Sequence, residues 1–155
     1  MCVVVQRSAD ETKLVFRALN PFKGLGSIIA SYPIAPTGLY NSSLSSDGTR
    51  VAIAKMGNPE IDILLLATGR VEHVTATTRH DQRSLAWAPG DKGFFVGAGT
   101  STGTALLDID LTGNAHVLWD QPGAIWTWGI PSPDGRHLGI MNWRIDSNIW
   151  TIEGF

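Results

Sequence analysis

Cysteine is nearly absent from this 155-residue chain: there is one, Cys2. That excludes an intrachain disulfide and a cysteine-built zinc site. It fits a reducing compartment, or an extracytoplasmic one that does without disulfides. Long hydrophobic runs are missing too. The longest, Ile61–Ala67, is broken by Asp62 and falls far short of the ~20 residues that span a bilayer. The opening MCVVVQRSADE has three valines and no basic residue before them, so it lacks the build of a signal peptide. It reads as a strand entered without preamble, as though the chain starts partway through a larger protein. An excess of one charge is also lacking. Twelve basic side chains stand against fourteen acidic ones, and no block of like charge stands out. Nucleic-acid binding driven by counterion release needs a basic face, which this composition does not offer. Helical periodicity is absent from every segment.

What is abundant is turn and aromatic chemistry. Seventeen glycines, eight prolines and six tryptophans in a chain with 17% charged residues predict many turns around an aromatic β core. The turns recur. LSSDGTRVAIAKM (44–56), WAPGDKGFFVGAG (87–99) and GIPSPDGRHLGIMNW (129–143) each place a Pro/Asp/Gly turn before an apolar run. Their leading positions, Ser45, Ala88 and Ser132, are 43 and 44 residues apart, and a degenerate copy, SADETK, begins at Ser8. In such turns Pro presets φ, Asp caps through its side chain and Gly takes the positive φ.

Each unit continues in the same order. A strand precedes the turn: Cys2–Gln6, Leu39–Leu44, Ser84–Trp87 and Ile125–Ile130. A second follows it: Lys13–Leu19, Arg50–Met56, Gly93–Ala98 and His137–Trp143. A third is expected at Gly26–Ile34, Ile61–Ala67, Thr104–Ile109 and Asn148–Ile152. A fourth closes the middle units at Val71–Thr75 and Ala115–Trp119. Four-stranded antiparallel units at this spacing predict an all-β fold, a β-propeller of about four blades forming a partial ring. Approximate blades are 1–38, 39–80, 81–122 and 123–155, the last incomplete. A β-sandwich of short strands is the competing architecture.

SSDGTRVAIAK, WAPGDKGFFV and PSPDGRHLGI resemble the WD40-like PD40 repeat of TolB-type propellers. Phe22–Gly26, His116–Trp119, Trp126–Gly135, Asn148–Trp150 and the final Phe155 are similar to the C-terminal region of bacterial, notably acidobacterial, proteins. In those proteins a TolB-like propeller follows a Ser/Thr kinase or winged-helix domain. The resemblance implies a sensor or scaffold module of a larger signalling protein, extracytoplasmic behind a membrane segment. It does not imply kinase activity here, because no Gly-rich loop, HRD or DFG motif occurs. Two copies depart from the repeat: APGDKG inverts the Asp-Gly order and SADETK lacks the glycine.

Candidate chemistry is thin. Asp47, Asp91 and Asp134 are turn residues before they are cation ligands, since one carboxylate per blade turn does not converge on an ion. His73 and His116 occupy matching repeat positions, and with His80 and His137 they lack the spacing of a metal site. Ser84 near His80 and Asp81 has no nucleophile elbow around it. Gly97–Gly103 lacks the lysine and helix of a phosphate loop and is expected to be a hairpin. No catalytic residue, metal or cofactor is therefore expected. The possible binding surface is Trp126, Trp128, Trp143 and Arg144, with Trp150 near it and Arg83 and Arg136 as further polar contacts. Trp126 and Trp128 share a strand face by period two, and tryptophans give large contact area at low entropy cost. Expected partners are a protein, a second copy, or a small ligand in the central channel, with no nucleic acid. A propeller-borne hydrolase and a purely structural fragment that closes its ring by oligomerising are the alternatives.

Overall fold

The repeated turn sets the frame. In the computed structural model, which describes residues 2–78 and 80–154, three copies fold identically. Ser45 Oγ donates to Asp47 Oδ1 at 2.6 Å, and the Thr49 and Arg50 amides donate to Asp47 Oδ1 and Ser45 Oγ. The same bonds join Ser8, Asp10, Thr12 and Lys13, and Ser132, Asp134, Arg136 and His137. Gly48 and Gly135 take φ of 72° and 68°, and Glu11 stands in the glycine's place at φ 56°. Phe155, the last residue of the family resemblance, lies outside the described residues.

Each turn joins the first two strands of an antiparallel sheet. The first sheet has three strands, β1 (Cys2–Arg7), β2 (Lys13–Asn20) and β3 (Gly24–Pro33), in that order. The second has four, β4 (Tyr40–Leu44), β5 (Arg50–Lys55), β6 (Glu60–Leu65) and β7 (Val71–Thr75). In the third, β8 (Asp81–Gln82) and β9 (Ala86–Trp87) both pair with β10 (Gly93–Gly99), followed by β11 (Gly103–Asp110) and β12 (Ala115–Pro122). The fourth is a hairpin, β13 (Ala124–Pro131) and β14 (Leu138–Arg144). The fold is an all-β propeller architecture in a partial ring. The third strand expected at Asn148–Ile152 is not formed: 145–154 carries no regular structure, and Ile149, Trp150 and Ile152 are exposed. Its apolar residues gain no burial against a neighbouring sheet, and the outer edge of β14 stays unpaired among the described residues. No helix among the described residues is long and apolar enough to cross a membrane.

The sheets stack through their faces. On β5, Val51 and Ile53 point one way and Ala52 and Ala54 the other. The Ala52 face joins Ile61, Ile63 and Val74 in a dry cluster with Trp87, Phe94, Val96, Leu107 and Ile109 of the third sheet. The third sheet's opposite face meets the fourth. Gly97 permits this approach, because an added Cβ would overlap the Thr127 carbonyl oxygen. Ser84 Oγ donates to that oxygen, and the Thr104 and Thr127 hydroxyls bond at 2.5 Å in the buried seam.

The first sheet breaks this regularity. In the second and third sheets, the sixth and eighth residues after the turn's leading position (Val51 and Ile53, Phe94 and Val96) face the preceding sheet. By that rule Val15 and Arg17 would meet the second sheet. Instead Leu14 and Phe16 do, packing on Val51, Ile53, Leu64 and Leu66. The first sheet is turned over relative to the repeat. The reason is chemical: Leu14, Phe16 and Ala18 form its apolar face, whereas Lys13 and Arg17 mark the other.

Candidate functional site

The aromatic candidates sit on the last hairpin, and its register sorts them. Thr127 pairs with Asn142, and Gly129 with Ile140. This face turns toward the third sheet, where Asn142 Nδ2 bonds Thr127 Oγ1 at 2.9 Å and Gly129 lies against Leu106 and Phe95. Alternation puts Trp126, Trp128 and Ile130, with their partners Trp143 and Met141, on the opposite face. Among the described residues no other sheet packs on it. Trp126 and Trp128 pack with ring centroids 5.3 Å apart. Trp143 is 64% exposed, Met141 54% and Ile130 60%. The Trp126 indole N–H is buried without a hydrogen-bond partner, shut in by its neighbours.

Of the four predicted surface residues, the structure brings together Trp126, Trp128 and Trp143. Arg144 follows Trp143 and so turns from the aromatic face, and its guanidinium pairs with Asp146 at 3.4 Å. Trp150 lies in the irregular segment, outside the hairpin. Arg83 is an inter-sheet tie, bonding Asp81 and the Ile125 carbonyl. Met141 and Ile130 were missed in the sequence. The register needed to put them beside the tryptophans depends on a bulge between Ala124 and Trp126.

The turns build a second feature. Those at Ala88 and Ser132, with the end of β4, enclose a cleft of about 410 Å³. Leu44, Trp87, Pro89, Ile130, Pro131 and Pro133 give it an apolar lining, and Ser46, Asp91 and Asp134 add polar groups. Ile130 also belongs to the aromatic face, so cleft and face are continuous.

The two carboxylates behave differently. Asp134 caps its own turn, and hydrogen bonds from the Ser132 hydroxyl and Arg136 amide hold its pKa below the usual range. Asp47 is held at about 2 by the bonds of its own copy, led by the Ser45 hydroxyl. Asp91 does not cap. The inverted APGD order puts Gly90 at the capping position and Asp91 at the glycine position, with φ 56°. Freed from its turn, Asp91 reaches back to the second sheet. It accepts from the Ser46 amide and hydroxyl, both at 2.9 Å, and pairs with Arg50 at 3.5 Å. Arg50 lies 4.9 Å over the Trp87 ring, and Trp87 Nε1 donates to the Ser43 carbonyl at 2.9 Å. The inverted copy is thus an inter-sheet staple, which the sequence read only as a departure from the repeat.

The remaining candidates have structural partners. Ser84 Oγ, fully engaged, donates to Thr127 and accepts from the Gly97 amide, and Asp81 pairs with Arg83. His73 Nδ1 lies 2.6 Å from Asp62, which also accepts from the Tyr32 hydroxyl across the first boundary. Burial and that carboxylate raise the Tyr32 pKa well above its usual value. Gly97–Gly103 spans the hairpin between β10 and β11. Among the described residues no group of three or more His, Cys, Asp or Glu side chains could hold a metal ion.

No protein-family model matches the chain, and no curated protein matches it. Its folded shape does have solved counterparts. The chain is similar to the β-propeller domain of Cps50 (Swd1) from Myceliophteria thermophila, with TM-score 0.55 and 15% identity over 91% of this chain and 48% of that one. It is similar to a putative 6-phosphogluconolactonase from Bacteroides fragilis, with TM-score 0.50 and 17% identity over 88% and 46%. A protein of unknown function from Bacteroides caccae matches with TM-score 0.50 and 13% identity over 91% and 57%. The chain spans about half the length of these structures. At such identities the likeness is one of fold.

Proposed function

We propose that this propeller segment is a non-enzymatic interaction module, a sensor or scaffold part of a signalling protein, and that it docks a protein partner on the aromatic face of its last hairpin. One observation carries this: Trp126, Trp128, Ile130, Met141 and Trp143 share a face of the last hairpin against which no other sheet of the described residues packs. Contiguous exposed apolar surface is the usual mark of an interaction site. Tryptophan is the residue most enriched where binding energy concentrates. The non-enzymatic part draws support from the engagement of Ser84 in an inter-sheet hydrogen bond, His73 in an inter-strand one and Asp81 in a local pair with Arg83. The test is affinity capture on the immobilised chain, followed by Trp126→Ala, Trp128→Ala and Trp143→Ala. A specific partner is expected to be retained by the parent chain and lost by these variants. Retention unchanged in all three overturns the assignment of this face.

A further inference from the structure

The cleft between the turns has a composition of its own. Its walls are proline and aliphatic surface from Pro89, Pro131, Pro133, Leu44 and Ile130, over the buried Trp87. Its charged lining residues are both acidic, and they are not equivalent. Asp91 is neutralised by Arg50 and satisfied by Ser46. Asp134 uses Oδ1 for its own turn, and among the described residues no basic side chain pairs with it. Lys92 follows the Ala88 turn and lies over Gly90, and Arg136 contributes its backbone amide to Asp134. An unpaired carboxylate at the mouth of an apolar slot suits a basic side chain, whose aliphatic stem lies on the prolines while its charged head meets the acid.

We propose that this cleft receives an arginine or lysine side chain of the protein that docks along the Trp126–Trp128–Ile130 strip. The inference rests on the docking reading above and names the chemistry of the partner. Ile130 is the link, because it lines the cleft and shares the free face with the tryptophans. A partner segment lying on that strip would reach the cleft at Ile130.

The test uses the whole chain and a defined probe. N-acetyl-arginine amide is titrated into isotopically labelled protein, and the backbone amide signals are followed. Saturable shifts are expected at Asp91, Asp134 and Gly135, and none with N-acetyl-citrulline amide, which keeps the shape and loses the charge. Asp134→Asn preserves the capping oxygen and is expected to weaken the probe about three-fold, the scale of an exposed ion pair. Asp47→Asn makes the same change in a turn copy whose aspartate does not line the cleft, and should leave probe binding intact. Absence of localised shifts, equal shifts with the citrulline analogue, or undiminished binding by Asp134→Asn overturns the proposal. The two readings fail separately. Probe binding should survive Trp126→Ala and Trp128→Ala, so partner capture that is undiminished in those variants, alongside an intact arginine response, sinks the aromatic face and not the cleft. Capture that persists without an arginine response sinks the cleft alone.

Discussion

The boundary between the first and second sheets and the boundary between the second and third are built from the same repeat, yet they pack by different rules. At the second boundary the repeat is obeyed: Phe94 and Val96 bury against Ala52 and Ala54, and Asp91 ties the turns together. At the first boundary the incoming sheet is turned over, so Leu14 and Phe16 meet Val51 and Ile53. Its cross-ties are Tyr32 to Asp62, Arg7 to the Pro36 and Gly38 carbonyls, and Tyr40 to the Ala35 amide. A repeated turn fixes where a hairpin reverses. It does not fix which face of the hairpin goes inward, because apolar burial decides that, at about 25 cal/mol per Å².

The largest expected effect separates the two boundaries directly. Phe94 is fully buried at the centre of the second boundary, and Phe94→Ala should cost about 3–5 kcal/mol and unfold the second and third sheets together. Phe16 is equally buried, but Phe16→Ala should act locally, releasing the first sheet while the others persist. Hydrogen exchange resolved by segment distinguishes these outcomes. Uniform loss of protection in both variants would erase the distinction.

A middle-sized effect comes from the irregular turns. Glu11 and Asp91 occupy the same left-handed position at the same φ, and glycine is the residue suited to it. Among the described residues the Glu11 side chain has no hydrogen-bond partner, so Glu11→Gly relieves backbone strain and should stabilise by up to about 1 kcal/mol. Asp91→Gly relieves the same strain but strips the Ser46 amide and Arg50 of their partner. It should therefore destabilise, by about 1–2 kcal/mol net. Denaturant midpoints of the two variants should move in opposite directions.

The smallest effect is acid sensitivity. The Asp10 and Asp47 pKa values are held at about 2 by their turn hydroxyls and amides, below the ordinary value near 3.9. A lowered folded pKa means the contribution is full above about pH 4 and fades as pH falls toward 2. The turn at Ala88 has Gly90 in the capping position and lacks this contribution. Exchange measured from pH 4 to 2 should show the Ser8 and Ser45 hairpins loosening by their own titration.

Much of this was legible in the chain because turn chemistry is local. Ser-x-Asp-Gly specifies its hydrogen bonds within six residues, so the turns at Ser45 and Ser132, and the strands beside them, could be read directly. Two classes of fact could not. The turned-over first sheet and the Asp91 staple are inter-sheet relations between residues 37 to 45 positions apart, set by burial and by where a freed carboxylate can reach. The unformed strand at Asn148–Ile152 fails for a related reason, since a free edge holds an apolar strand only where pairing also buries its side chains, and here Ile149, Trp150 and Ile152 stay exposed. At the candidate surface, period two placed Trp126 with Trp128, but adding Met141 and excluding Arg144 required the hairpin register.

The measurement that bears most directly on the open aromatic face is site-specific photo-cross-linking in cells that express the protein. A photoreactive residue is placed at Met141, on that face, and in parallel at Val117, which is similarly exposed on β12 at the edge of the third sheet. A docking face predicts one discrete cross-linked protein from position 141, lost when Trp143→Asp is added, and none from position 117. Equal labelling at both positions, or no product at position 141, would contradict it.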